Sequence, residues 1–209
     1  MALTLRPATP SDIPSLVSIF FDGFASHPPT QRIFPAGTAP AEAYWLDGFS
    51  SDIKDPKVYL VVVEDASTTP HPTVVGFAKW SRHPATEKPP FFSPLADDNW
   101  PVNGDRAMAR SFFGTLHDKH EKIMGGREHW YLELIATRTG WQRRGLGGML
   151  VRWGLERADA EGWEAYLDAT PEGRGLYERL GFGKVWERDW PEVGYFGHQF
   201  MVRERRARE

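Results

Sequence analysis

Gln142-Arg143-Arg144-Gly145-Leu146-Gly147-Gly148 joins an apolar run, Tyr131 to Ala136, to a helix-patterned run that begins at Leu146. A glycine-rich turn leading out of a strand and into a helix suits an anionic ligand. Gly145, Gly147 and Gly148 lack a Cβ, so the backbone can approach an anion closely, and the unpaired N–H groups of a first helical turn point at it. Arg143 and Arg144 add positive charge at the same place. Similar turns occur in P-loop and dinucleotide-binding proteins and in ordinary loops. No Lys-Ser/Thr pair follows these glycines, which excludes a Walker A loop. A dinucleotide fingerprint is only partly excluded. The segment lies in mid-chain, whereas such a fingerprint usually opens its βαβ unit, yet Asp168 stands near the spacing of about 20 residues expected of a ribose-binding acid.

Outward from this turn, His129 to Arg138 reads as a strand, Leu146 to Glu161 as a helix with Leu146, Met149, Leu150 and Trp153 on its apolar side, and Glu164 to Ala169 as the next strand. Strand, helix, strand implies a parallel pair with a right-handed crossover. Glu172 to Leu180 follows as a helix stopped by Gly181, and the last strands fall at about Gly183 to Glu187 and Tyr195 to Arg203. Near the start, Thr4 to Arg6 opens a strand. Thr9-Pro10-Ser11-Asp12 then starts a helix, with Thr9 as N-cap, Pro10 at the first helical position and Asp12 in the capping-box place. Ile13, Leu16, Val17 and Phe20 continue it until His27-Pro28-Pro29 ends it, and Tyr44, Trp45, Phe49 and Ile53 pattern a second helix from about Ala41 to Ile53. Val58 to Val63 and Thr73 to Trp80 form an antiparallel hairpin. A Pro- and aromatic-rich insertion at about 81–104 carries Phe91, Phe92 and Trp100, and is read either as a lid or acceptor wall or as a packed surface loop. Asp105 to Met124 is helical, with Met108, Phe112, Phe113, Leu116 and Ile123 buried. His117, His120 and Glu121 share one face of it. With no further ligand cluster in view they are expected to be a polar surface stripe, and no metal is expected.

The length of 209 residues suits one core, so residues 1–209 are read as a single domain. A net charge of −3 gives no electrostatic reason for nucleic acid as a partner, and the basic stretch Arg203 to Glu209 reads as a solvated tail. No apolar run approaches the roughly 20 residues of a membrane span and no signal core is evident, which points to a cytoplasmic protein without a membrane partner. Cysteine is absent, so an acyl group cannot pass through an enzyme thioester.

Gln142, Gly145 and Gly147 match a Q/R-x-x-G-x-G/A pattern. Leu134-Ile135-Ala136-Thr137 precedes it, Gly175-Leu176-Tyr177-Glu178-Arg179-Leu180-Gly181-Phe182 follows it, and Leu5-Arg6-Pro7-Ala8-Thr9-Pro10-Ser11-Asp12 opens the chain. In this order and spacing the sequence resembles the GCN5-related N-acetyltransferase (GNAT) superfamily over roughly residues 1–26 and 129–190, and looks most like its fungal small-molecule branch. The resemblance implies an α/β (α+β) fold with a mixed central sheet, splayed fourth and fifth strands, and flanking helices. It also implies acetyl-CoA as co-substrate. By analogy the pyrophosphate rests on the backbone of Arg143, Arg144, Gly145, Leu146, Gly147 and Gly148 beside Gln142, and the pantetheine arm pairs along Leu134, Ile135, Ala136 and Thr137. Thr170 stands where many relatives carry a CoA-contacting asparagine.

The acceptor implied is a primary amine attacking the thioester directly. Such an amine, with a pKa near 10.4, is about three units from neutrality at physiological pH, a deficit of about 4 kcal/mol for the free base. Glu133 is the candidate base, since alternation places residues 131, 133, 135 and 137 on one face. A structural acceptor role for Glu133 stays open, and Tyr131 aligns nearer the base of the histone-acetylating branch. Tyr177 matches the signature tyrosine that approaches the CoA sulfur in relatives and is the candidate acid and cofactor contact. Asp168, His83 and His198 are further candidates for acceptor contact. A small-molecule acceptor and a monomer or homodimer are expected; the alternatives are a protein lysine or N-terminal acetyltransferase, or a non-catalytic acyl-CoA-binding module.

Overall fold

A computed structural model describes residues 2–68, 73–85 and 100–206. Seven strands form one mixed sheet in the order β1-β2-β3-β4-β5-β7-β6. They are β1 (Leu3–Pro7), β2 (Val58–Asp65), β3 (Thr73–His83), β4 (His129–Thr137), β5 (Glu164–Ala169), β6 (Gly183–Trp190) and β7 (Tyr195–Arg203). The helices are α1 (Ile13–Gly23), α2 (Pro28–Ile33), α3 (Ala39–Asp52), α4 (Arg106–Met124), α5 (Leu146–Glu161) and α6 (Arg174–Arg179). β4 and β5 are the parallel pair, and every other neighbouring pair is antiparallel.

The first helix starts as its sequence dictates. The Thr9 N–H donates to Asp12 Oδ2 at 2.7 Å, and Arg6 on β1 grips both oxygens of the same carboxylate at 2.8 and 3.0 Å. That guanidinium holds the Asp12 carboxyl at about 2, against the pull of burial. Pro10–Asp12 makes one 3₁₀ turn before α1 begins. The helix stops at Gly23, and His27-Pro28-Pro29 begins α2 instead of terminating α1. Proline is tolerated at the first helical positions because those N–H groups have no partner in the helix. His27 supplies the cap, its Nδ1 accepting from the Thr30 N–H at 3.3 Å.

Helices cover both faces of the sheet. On one, Leu16, Ile19 and Phe20 of α1, Ile33 of α2, Phe49 of α3 and Phe112 of α4 pack with Leu60, Val62, Phe77 and Ala136. On the other, Leu146, Leu150, Val151 and Leu155 of α5 and Tyr177 of α6 pack with Val61, Val63, Trp80, Leu132 and Leu167. At about 25 cal/mol per Å² of apolar surface, these two layers are the main drive for folding.

Two expectations change here. Strict alternation along β4 fails: Trp80 pairs with Leu132 and Lys79 with Leu134, leaving Glu133 as the extra residue of a bulge. Leu132 therefore faces α5 while Leu134 and Ala136 face α1, and Ile135 turns to the α5 side, away from Tyr131. The insertion also begins later than residue 81, because Ser81–His83 is the end of β3. Residues 86–99 lie outside the described residues. At its far side Trp100 is 4% exposed, stacked on Phe113 and Tyr44 with centroids 5.1 and 5.9 Å apart. Among the described residues no helix is long and apolar enough to cross a membrane.

Candidate active site

The glycine turn follows β4 through a single 3₁₀ turn at Thr139–Trp141. Asp22, near the end of α1, anchors that turn by accepting from the Thr139 N–H at 2.7 Å and its hydroxyl at 2.8 Å. Arg143 adopts φ 63° and Gly145 φ 88°, the left-handed region in which only glycine sits without penalty. Gly145 caps α5 with no side-chain bond, so the first-turn N–H groups are left to whatever lies in front of them. Gly147 is close-packed: a Cβ there would stand 3.1 Å from Leu176 Cδ2 of α6, which would have to give way by a few tenths of an ångström. Arg144 lies over the Trp141 ring, 4.9 Å from its centroid, and Gln142 and Arg143 complete the rim. The turn thus presents backbone N–H groups at the positive end of a 16-residue helix, an arrangement that suits an anion.

Beside it the sheet opens. β4 pairs with β5 only from His129 to Leu132, against Glu164 to Leu167. Beyond that point, among the described residues, Leu134 to Thr137 pair with β3 alone, so their other edge faces a gap toward the end of β5. Leu134, Ile135, Ala136 and Thr137 thus line an open strand edge beside the glycine turn, which suits a peptide-like ligand arm. Thr170 directly follows β5, its carbonyl accepting from the Gly173 N–H at 3.0 Å.

Tyr177 on α6 is buried at 6% exposure, with Phe182 at 6.1 Å. Burial raises its phenol well above the ordinary value, so it stays protonated and able to donate. Its ring lies against Gly173, where a Cβ would come within 2.7 Å of Cε2.

Glu133, put out of register by the bulge, meets Lys79 Nζ at 3.0 Å, and the same ammonium bonds Asp52 of α3 at 2.8 Å. Burial acts to raise the Glu133 carboxyl, but Lys79 and a hydrogen bond from Ser81 outweigh it and hold it below the usual range. Lys79, Asp52 and Ser81 carry no motif, and no pattern along the chain pointed to them. Ser81 Oγ lies 2.8 Å from His83 Nε2. Glu133, Ser81 and His83, with Ser51, Lys54 and Lys57, line a cavity of about 560 Å³. A larger groove of about 860 Å³, lined by Arg152, Asp159, Arg179 and Lys184, shares no residue with this site.

Asp168 lies deeper. It accepts from the Tyr131 hydroxyl at 2.5 Å and the Tyr166 hydroxyl at 2.8 Å. Burial pushes its carboxyl up to about 7 despite those two donors, and the charge of Glu133 adds to the rise. Tyr131 is consequently a partner of Asp168, with its phenol raised far out of the titrating range by burial. His198 sits elsewhere, bonded to the Tyr195 hydroxyl at 2.9 Å among Phe112 and Trp190. His120 departs from the polar surface stripe expected on α4: it is 4% exposed, with Nε2 2.7 Å from His129 Nε2, whereas Glu121 is exposed and His117 partly so. Burial depresses these two imidazoles to about 2 and about 4, leaving both neutral.

A helix-flanked mixed sheet whose parallel β4 and β5 diverge beside a glycine turn is the architecture of GCN5-related acetyltransferases. The chain belongs to the Acetyltransferase (GNAT) family, whose family model matches residues 24–182. An acetyltransferase from Stachybotrys chartarum is 23% identical over 203 residues, covering 91% of this chain and 85% of that protein. Among solved structures, the Drosophila melanogaster polyamine N-acetyltransferase is similar with a TM-score of 0.69 at 13% identity, covering 97% of this chain and 100% of that one. NAA60 of Arabidopsis thaliana, in complex with acetyl-CoA, has a TM-score of 0.59 at 16% identity, covering 96% of this chain and 97% of that one. The protein is thus an N-acetyltransferase by family, with acetyl-CoA as the family's donor.

Proposed function

We propose that this enzyme transfers acetyl from acetyl-CoA to the primary amine of a small molecule by direct attack. The observation that carries the reading is one juxtaposition. The unpaired β4 edge has the α5 anion nest at one end and the bulged Glu133 at the other. A diphosphate held by the N–H groups of residues 143–148 beside Gln142 lets an amide-bearing arm run along residues 134–137, with Thr170 and Tyr177 on the far side of the gap. The thioester then falls near the vertex, where β4 and β5 meet.

Glu133 is ionised throughout the neutral range, because Lys79 and Ser81 stabilise its charged form. It takes the proton from the attacking nitrogen as the N–C bond forms. The C–S bond breaks, and the Tyr177 hydroxyl gives its proton to the leaving thiolate. Backbone N–H groups on the open edge near Ile135 and Ala136 can hold the tetrahedral oxyanion. The absence of cysteine supports attack by the acceptor itself.

The acceptor class rests on the cavity beside Glu133. At about 560 Å³ it has the size of a small-molecule site, mixed in charge and open to solvent. Polyamines, aminosugars, arylamines, amino acids and peptides, offered with acetyl-CoA while thiol release is recorded, test the reading. Release with a small amine is expected. Release with peptides alone would make this a protein acetyltransferase, and CoA binding without release to any amine would make it a binding module.

A further inference from the structure

His83, His120 and His129 come from three elements, the end of β3, the C-terminal part of α4 and the start of β4, and they are 8%, 4% and 2% exposed. One nitrogen of each lies within 4.8 Å of one nitrogen of the other two. His83 and His129 are register partners on adjacent strands, with rings stacked at 4.7 Å and 2°. His120 reaches across from the helix to meet His129 edge on, centroids 4.9 Å apart at 83°.

The tautomers follow from the partners. His129 Nδ1 lies 2.7 Å from the Arg127 carbonyl, which can only accept, so Nδ1 carries the proton and Nε2 presents a lone pair. That lone pair faces His120 Nε2 at 2.7 Å, so His120 must place its own proton between the two nitrogens. A proton relay does not explain this pair, because the chain ends on a backbone carbonyl that has no proton to pass on. An imidazole oriented by an Nδ1–H bond to a carbonyl, with Nε2 turned toward other imidazoles, is instead the arrangement seen around metal ions.

We propose that His83, His120 and His129 bind one divalent transition-metal ion of the zinc type. His120 accommodates it by carrying its proton on Nδ1, which frees Nε2, so two lone pairs face the ion. Two nitrogens about 2.0–2.1 Å from a tetrahedral zinc stand about 3.3 Å apart, so His120 and His129 part by about half an ångström. His83 turns from Ser81 to supply the third nitrogen. His83 also lines the cavity beside Glu133, which gives the ion an entry path and a fourth position for water. Three neutral imidazoles without a thiolate favour zinc, nickel or copper over magnesium or calcium. The ion would fasten α4 to the β3–β4 edge two residues from Ser81, and it needs no assumption about the acetyl acceptor.

The test uses the full chain without an affinity tag, stripped with a chelator and dialysed. Zinc is added and its content measured after desalting, cobalt(II) is added to record its visible spectrum, and long-range proton–nitrogen NMR follows the histidine rings. One zinc per chain, a tetrahedral cobalt spectrum, a higher Tm with zinc, and nitrogen shifts confined to three imidazoles are the expected results. His83→Gln and His120→Gln should each weaken zinc binding by about a hundredfold or more, and His117→Gln, one turn away, should leave it unchanged. Wild-type protein that retains no zinc and shows unmoved histidine resonances overturns the site, with no variant needed. Binding that survives in both His83→Gln and His120→Gln overturns it equally, by placing the ion elsewhere.

Discussion

Replacing Glu133 by glutamine isolates the proton-transfer step. Glutamine keeps the shape and leaves Lys79 its bond to Asp52 at 2.8 Å, so the bulge and the strand pairing are retained. What is lost is a carboxylate held in its charged form by Lys79 and Ser81 against the effect of burial. A general base contributes about 10²- to 10⁴-fold, or about 3–5 kcal/mol, which is the scale of the 4 kcal/mol needed to offset a protonated amine at neutral pH. At pH 7 the variant should therefore turn over about 10²- to 10⁴-fold more slowly at saturating amine. Its rate should climb about tenfold per pH unit toward the amine pKa, where solvent supplies the free base, while the wild-type profile is flatter. Quenched thiol assays from pH 6 to 10, with CoA affinity measured alongside, make the comparison. Wild-type turnover at pH 7 with an unchanged profile would refute the assignment of Glu133 as base.

Tyr177→Phe should slow turnover about 10²-fold while CoA affinity stays near wild type; equal turnover removes the phenol from the mechanism. Gly145→Val forces a β-branched side chain into φ 88° at a cost of about 1–2 kcal/mol, and Gly147→Leu collides with Leu176, so both should lose CoA binding in calorimetry. Retained affinity would contradict the phosphate nest. Asp168 has a folded pKa near 7, above the unfolded value of 3.8, so its ionisation weakens the fold progressively as pH rises from about 4 to 7 and fully above that. Asp168→Asn should accordingly raise Tm more at pH 8 than at pH 5; a gain equal at both would refute the burial argument.

Sequence made the glycine turn before α5, the parallel pair and the order of elements legible, because glycine spacing and hydrophobic period are local. Glu133 was chosen as candidate base for a reason that fails in detail. Period-2 alternation predicts its face, yet the residue is the bulge that breaks the alternation, and one extra residue leaves no mark in an apolar strand pattern. The Lys79 and Asp52 partners come from β3 and α3 and meet only in the folded sheet. His120 was misjudged because a helical face gives no clue that His83 of β3 and His129 of β4 approach it. Pro28 and Pro29 were read as terminators, although the same residue type also opens helices.

Gly154 on α5 lies flat on the indole of Trp80 from β3, so close that a Cβ would fall under 3.0 Å from three ring atoms, and the indole Nε1–H donates to the Leu150 carbonyl at 3.3 Å. The helix that carries the anion nest is in this way seated directly on the sheet that carries Glu133. On the proposed reading its depth of seating works as a ruler, fixing how far a diphosphate would stand from the vertex of the strands. A bulkier residue at this buried contact, remote from any ligand, would lift one end of the ruler and misplace the reacting carbonyl.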